Sequence, residues 1–300
     1  MRELERLIKK YIKGGFEYEV FWQRVKKTKI EVSGGEVESL STSEETGIGL
    51  RVLKDGRIGF SYVGGSGEEK LREAVEKALQ SCELQTRDEG NIFKREQEPT
   101  STVSTFDKEG VGMPVEEKVS LTLGLEEGAK ALDRRIKGVR KATLTEKVFE
   151  VKFFNSYGVS YDYEGTQYSA SISALASEGT DSAISWEFRG SRRLADLGME
   201  DIVKDVVFKA TSLLNPRDIN TAVMPVVFFR DSFAMMLSAF SDMFLGDSYI
   251  RGKTLLKDRR GERVGSELFT LVDDGTLEGG FSTFPYDAEG VSTTKTVLVE

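Results

Sequence analysis

GIGLRVLKDGRIGFSYV, residues 47–63, alternates apolar side chains with others on both sides of Asp55-Gly56. A period of two is the mark of a strand whose faces meet different surroundings. Asp-Gly suits the two positive-φ positions of a type I′ turn. The stretch therefore reads as a β-hairpin. Upstream, Gly34-Gly35 marks a second hairpin between EYEVFWQRVKKTKIEVS (17–33) and EVESLST (36–42). Before it, Leu4, Leu7, Ile8, Tyr11 and Ile12 recur at helical spacing until Gly14-Gly15. After it, GEEKLREAVEKALQSC (67–82) reads as a helix. Helix, four strands and helix make a small α+β domain over residues 1–84.

Residues 85–112 are polar, rich in Gly and Thr and without a period, so they read as a linker or a long excursion. PVEEKVSLTLGLEEGAKALD (114–133) is a helix with Pro114 in its first turn. Long alternating stretches follow at 139–156, 158–165, 166–179 and 181–193, with turns at Tyr157-Gly158 and Glu178-Gly179. They predict an antiparallel meander with one wet face. A helix over about 200–214 stops before Pro216, and AVMPVVFF (222–229) reads as a short strand. STTKTVLVE (292–300) also reads as a strand, and its lack of a following turn suggests a truncated chain. The expected fold is α+β: the small N-terminal domain, then residues 113–300 as a larger, incomplete α+β domain on a curved antiparallel sheet.

The net charge of −8 argues against direct nucleic-acid binding, which needs a surplus of Lys and Arg. Arg134, Arg135, Lys137, Arg140 and Lys141 form a small basic cluster, read as solvated surface. A single cysteine, Cys82, excludes disulfides within the chain and a cysteine zinc cluster. No apolar run approaches the ~18–20 residues of a membrane span, and the start lacks the apolar core of a signal peptide. These features predict a cytoplasmic protein.

Candidate chemistry is thin. YVGGSGEEK (62–70) is a Gly-rich strand-to-helix turn, but Glu68 and Glu69 would repel an anion there. Ser292 and Lys295 match the spacing of some Ser–Lys acylases, yet on a strand they face opposite sides. Asp273, Asp274, Asp287 and Glu289 lie beside glycines, as turn formers do. DSFAMMLSAFSDMFLGD (231–247) predicts a helix that Asp231 can cap and Gly246 can end. Phe233, Met236, Leu237, Phe240 and Phe244 fall on one stripe, read as a core or partner-interface face. Ser238 and Asp242 are one turn apart on it. The chain contains no histidine, so no imidazole-based acid–base or metal site can be built.

Several stretches, in order, resemble the TldD/PmbA family: residues 31–62, 155–179, RRLADL (192–197), the helix just described with GDSYIRGKTLLKDRRGERVGS (246–266), and 273–300. Members of that family continue past this last segment, which agrees with the expected truncation. TldD-like members carry H-E-x-x-x-H on a helix and are zinc metallopeptidases, with the Glu as general base. Registering the Gly-Asp pair that follows their motif on Gly246-Asp247 places the three motif positions at Leu237, Ser238 and Asp242. None is His or Glu, as in the PmbA or TldE branch. The resemblance implies a non-catalytic subunit of a cytoplasmic peptidase heteromer acting on small unfolded peptides. It implies no metal in this chain and zinc in a TldD-like partner. The alternative is a stand-alone peptide-binding or regulatory protein, a homodimer when alone, like the DNA gyrase modulators described in the family.

Overall fold

The computed structural model describes residues 2–65, 67–97 and 103–300. The predicted hairpins are the start of one six-stranded antiparallel sheet in the order β3-β2-β1-β4-β5-β6. Its strands are β1 (Glu17–Ser33), β2 (Glu36–Lys54), β3 (Arg57–Gly64), β4 (Ile136–Asn155), β5 (Ser160–Glu178) and β6 (Asp181–Ser191). Asp55 and Gly56 have φ of 50° and 73°, the left-handed pair expected of a type I′ turn. The fold class is as expected, a curved antiparallel half-barrel with helices.

The strand count is lower than the sequence suggested. The polar interval Ser41–Thr46 stays extended because β1 pairs with it throughout, Lys27 opposite Ser43 and Val25 opposite Glu45. Two expected strands thus fuse into β2, and 158–165 and 166–179 fuse likewise into β5. AVMPVVFF forms no strand. Pro225 cannot donate to a ladder, and Val223 and Val227 lie in the open.

Helices α1 (Arg2–Tyr11) and α2 (Glu68–Leu84) cover β1–β3, packing Ile8, Leu71, Val75 and Ala78 on Val20, Ile48, Leu50 and Val52. The short α3 (Lys108–Gly112) is capped by Asp107, whose other oxygen accepts from the Leu194 amide. Helices α4 (Val115–Leu132) and α5 (Met199–Ser212) cover the rest of the sheet, with Leu125, Ala129, Ile202 and Val206 on Ile30, Leu144, Ala170 and Ile172. Pro114 caps α4 instead of entering its first turn.

Residues 85–112 are an excursion, not a free linker. Phe93 is buried, the Asn155 amide donates to the Lys94 carbonyl, and the Thr105 hydroxyl donates to the Glu164 carbonyl. Residues 98–102 of that stretch lie outside the described ones. Domains at 1–84 and 113–300 are not how the chain divides in space. β1 pairs with β4 from Glu19–Asn155 to Val32–Ala142, so both segments build one sheet. One compact unit contains residues 1–216 and 275–293, and the other 217–274 and 294–300.

Within the first unit, 275–293 lies on the face of the sheet that the helices leave bare. Tyr161 stacks between Phe153 and Tyr286, with ring centroids 4.8 and 4.2 Å away. Arg192, fully buried, donates to the carbonyls of Thr166, Gly280 and Thr283 and lies over the rings of Phe149 and Phe284. Burial lowers its pKa to about 10. The second unit holds α6 (Arg230–Phe240), α7 (Gly246–Ile250) and a two-stranded sheet of β7 (Leu271–Asp274) and β8 (Lys295–Val299). Among the described residues no helix is long and apolar enough to cross a membrane.

Candidate functional site

The helix singled out in the sequence is α6, but its ends differ from expectation. Asp231 lies in the first turn beside Arg230, and Phe229 occupies the cap position without a side-chain cap. The helix stops at Phe240 and tightens into a 3₁₀ turn over Ser241–Phe244. Gly246 opens α7 instead of closing α6. Leu237 and Ser238 therefore sit on α6, and Asp242 on the 3₁₀ turn. The backbone carbonyl of Ser238 accepts from the Ser241 hydroxyl, and that of Asp242 accepts from the Leu245 amide.

These three positions supply one carboxylate, one hydroxyl and a hydrocarbon. Zinc sites take at least three protein ligands from Cys, His, Asp and Glu. The residues present do not fit the zinc of the TldD-like branch. Among the described residues no group of three or more His, Cys, Asp or Glu could hold a metal ion.

The apolar stripe is on the surface of the chain. Phe233, Met236 and Phe240 are 42%, 43% and 53% exposed, and Leu237 and Phe244 are half-buried. No residue of α6 is buried within this chain. Phe233 meets Phe269 edge to face at 6.1 Å, and the Thr254 hydroxyl ties the following loop to the Met243 carbonyl.

The other candidates resolve into structure. Glu68 at the start of α2 is held by Lys10 and Tyr11, so the Gly-rich turn before it is a helix entry and no anion cradle. Lys295 lies 3.8 Å from Asp274, while Ser292 bridges to Tyr286. The Asp287 carboxylate accepts from the amides of Glu289 and Val291, a turn former as expected. In the basic cluster Arg135 pairs with Asp133, and Lys141 with Glu31 and Glu38.

A cavity of about 400 Å³, marked by no motif, opens on the helix-free face, lined by Glu19, Phe21, Gln23 and Val25 of β1, residues 45–47 with Gly49 and Arg51 of β2, Phe60, Tyr62, Phe153 and Ala288. The register explains it. Phe21 stands opposite Gly49 on one side and Phe153 on the other, and Gln23 opposite Gly47. Two glycines two residues apart on one face of β2 leave a notch where side chains would stand. The Tyr62 ring folds over Gly47: a Cβ there would lie 2.3 Å from its hydroxyl. The signal was the G-I-G of residues 47–49, which points both absent side chains to one face.

At the end of the cavity Glu19 is 3% exposed and ion-paired with Arg51. Burial outweighs the guanidinium, and with the charges of Glu289 and Asp287 it pushes the Glu19 carboxyl up to about 7. Arg51 also donates to the Ala288 carbonyl and to Glu289, and lies over the Phe93 ring.

Three family models cover most of the chain: PmbA/TldA metallopeptidase domain 1 over residues 18–82, the central domain over 109–214 and the C-terminal domain over 221–300. The metalloprotease PmbA homolog of Haemophilus influenzae is 24% identical over 297 residues, spanning 96% of this chain and 64% of that protein. Metalloprotease PmbA of Escherichia coli O157:H7 is 24% identical over 285 residues, 92% of this chain and 62% of that protein. An uncharacterised protein of Methanocaldococcus jannaschii is 28% identical over 298 residues, 99% of this chain and 68% of its own length. The chain thus matches only part of the length of each of these relatives. The crystal structure of TldE from Thermococcus kodakarensis superposes on the whole chain and 67% of its own, with a TM-score of 0.79 and 23% identity. A Thermotoga maritima protein named as a candidate modulator of a DNA gyrase gives 0.87 and 21%, covering 100% of this chain and 68% of that one. The three domain models in order, the PmbA relatives and the shared half-barrel lead to one identification: the chain belongs to the TldD/PmbA family and is PmbA/TldE-like.

Proposed function

We propose that this chain is the non-catalytic subunit of a cytoplasmic zinc metallopeptidase complex, in which a TldD-like partner carries the zinc and cleaves small, unfolded peptides. The observation that carries the reading is the donor set: no histidine in 300 residues, and Leu237, Ser238 and Asp242 at the positions we register on the peptidase motif. The two imidazoles cannot be supplied from this sequence and no Glu stands at Ser238, so this reading gives the hydrolytic step to another polypeptide. The exposed row of Phe233, Met236 and Phe240 on α6 supports a role in pairing. Exposed apolar rows with adaptable Met side chains suit protein contacts.

Extended peptides can be held by strand addition, where main-chain hydrogen bonds give affinity with little sequence choice. The second reading, a stand-alone peptide-binding or regulatory protein, is favoured by the same uncovered surface. Co-purification from the native cell separates the two. The subunit reading expects a TldD-like protein in near-equal amount, with zinc and peptide hydrolysis in the pair and neither in the isolated chain. Stoichiometric zinc with hydrolysis by this chain alone would sink it.

A further inference from the structure

The cavity over Gly47 and Gly49 has no part in the peptidase-subunit reading and stands independently of it. Its walls are aromatic and uncovered: Phe60 and Tyr62 are 56% and 65% exposed, while Phe21 and Phe153 close the other side. At its end the Glu19 carboxylate is buried: Arg51 is paired with one of its oxygens, and the other has no hydrogen-bond partner among the described residues. Among the described residues Arg51 is the cation that faces it, and that guanidinium is shared with Glu289 and the Ala288 carbonyl. Asp287 adds to the negative field on Glu19, and Glu45 lines the opposite end of the cavity.

Glu19, Glu289 and Asp287 outnumber the one guanidinium at this end and leave it electron-rich. A buried carboxylate short of donors gains most from a ligand that brings N–H groups and positive charge. Aromatic faces attract the same charge. A volume of about 400 Å³ lies in the range of small-molecule sites, and apolar walls with few polar groups are their usual lining.

We propose that this cavity is a binding site for an organic cation, a protonated amine on an apolar, preferably aromatic, body, with the ammonium on Glu19 and the body over Gly49 between Phe21, Phe60 and Tyr62. A free arylalkylamine and the N-terminus of a peptide beginning with an aromatic residue share this chemistry. The neutral form of Glu19 is favoured by burial, so cation binding also draws the carboxyl towards ionisation and releases a proton.

The test is calorimetric titration of the 300-residue chain at pH 7.5 with phenethylamine, phenethyl alcohol, and a tripeptide amide beginning with phenylalanine, free or acetylated at its N-terminus. Loss of a charge-assisted hydrogen bond and a cation–π contact corresponds to about tenfold or more in affinity. The amine, the free tripeptide or both should therefore bind at least about tenfold more tightly than their neutral counterparts. The tighter of the two identifies the source. Glu19→Gln should erase that preference, and Tyr62→Ala, at an exposed position that leaves the core intact, should weaken binding severalfold. Gly49→Leu should fill the notch and abolish binding with an unchanged far-UV spectrum. Equal affinity of both cations and their neutral counterparts would overturn the proposal. So would undiminished binding by the Glu19 and Tyr62 variants, or no heat from either cation at millimolar concentration.

Discussion

Glu19 shows how one strand position acquires a property its neighbours lack. On β1 it alternates with Tyr18 and Val20, which pack beneath the helices, and so it faces the other side of the sheet. Arg51 is its cross-strand partner, yet the water removed from the carboxylate costs more than the guanidinium returns. Because the folded-state pKa is raised from 4.5 to about 7, the native state retains a proton that the unfolded chain releases across that window. Stability therefore falls as pH rises from about 4.5 to 7, by up to about 3 kcal/mol, since one retained proton is worth roughly 1.4 kcal/mol for each step of one in pH. Below 4.5 both states carry this proton, and the Glu19 contribution reaches its plateau. Urea midpoints between pH 4.5 and 8 should show this decline in the natural chain and lose it in Glu19→Gln. A parallel decline in both proteins would mean that another group titrates.

At the level of elements, close approach on one face and exposure on another set different expectations. Gly59 of β3 lies directly under α2. A Cβ there would sit 2.0 Å from the Ala78 carbonyl and 2.6 Å from the Cys82 amide nitrogen, both backbone atoms. Gly59→Ala must push the helix off the sheet, at about 2–3 kcal/mol, read as a lower urea midpoint. A loss under about 0.5 kcal/mol would show that α2 shifts freely. On α6 the prediction inverts. Phe240 is 53% exposed, so Phe240→Ser should change the stability of the isolated chain by less than about 0.5 kcal/mol. The same change should weaken association with a TldD-like partner by about tenfold or more, as truncating an aromatic anchor does. Unchanged co-purification would remove α6 from the interface.

Across the whole molecule, the two layers were legible in different degrees. Period-two alternation and the Asp55-Gly56 and Gly34-Gly35 turns announced an antiparallel sheet, because side-chain direction and positive φ are local properties. The fusion of two strands into β2 was hidden, since Ser41–Thr46 has no apolar alternation and is held extended by β1. AVMPVVFF carried strand-like residues, but Pro225 interrupts them and no strand forms there. The division at 84 and 113 followed composition, while the β1–β4 ladder joins what composition separates. The cavity escaped motif reading because its lining comes from β1, β2, β3, β4 and the 275–293 segment, and its floor is made of absent side chains.

What the sequence alone determined is which types of ligand and acid–base group the chain can offer. With no histidine and one cysteine, its ligand set is fixed by composition, whatever the fold. The tertiary structure alone decided which carboxylate is buried, which glycines face a common space and which apolar stripe is left uncovered. Those depend on the register between distant strands and on what packs over them, and desolvation is a property of the surroundings, never of the residue by itself.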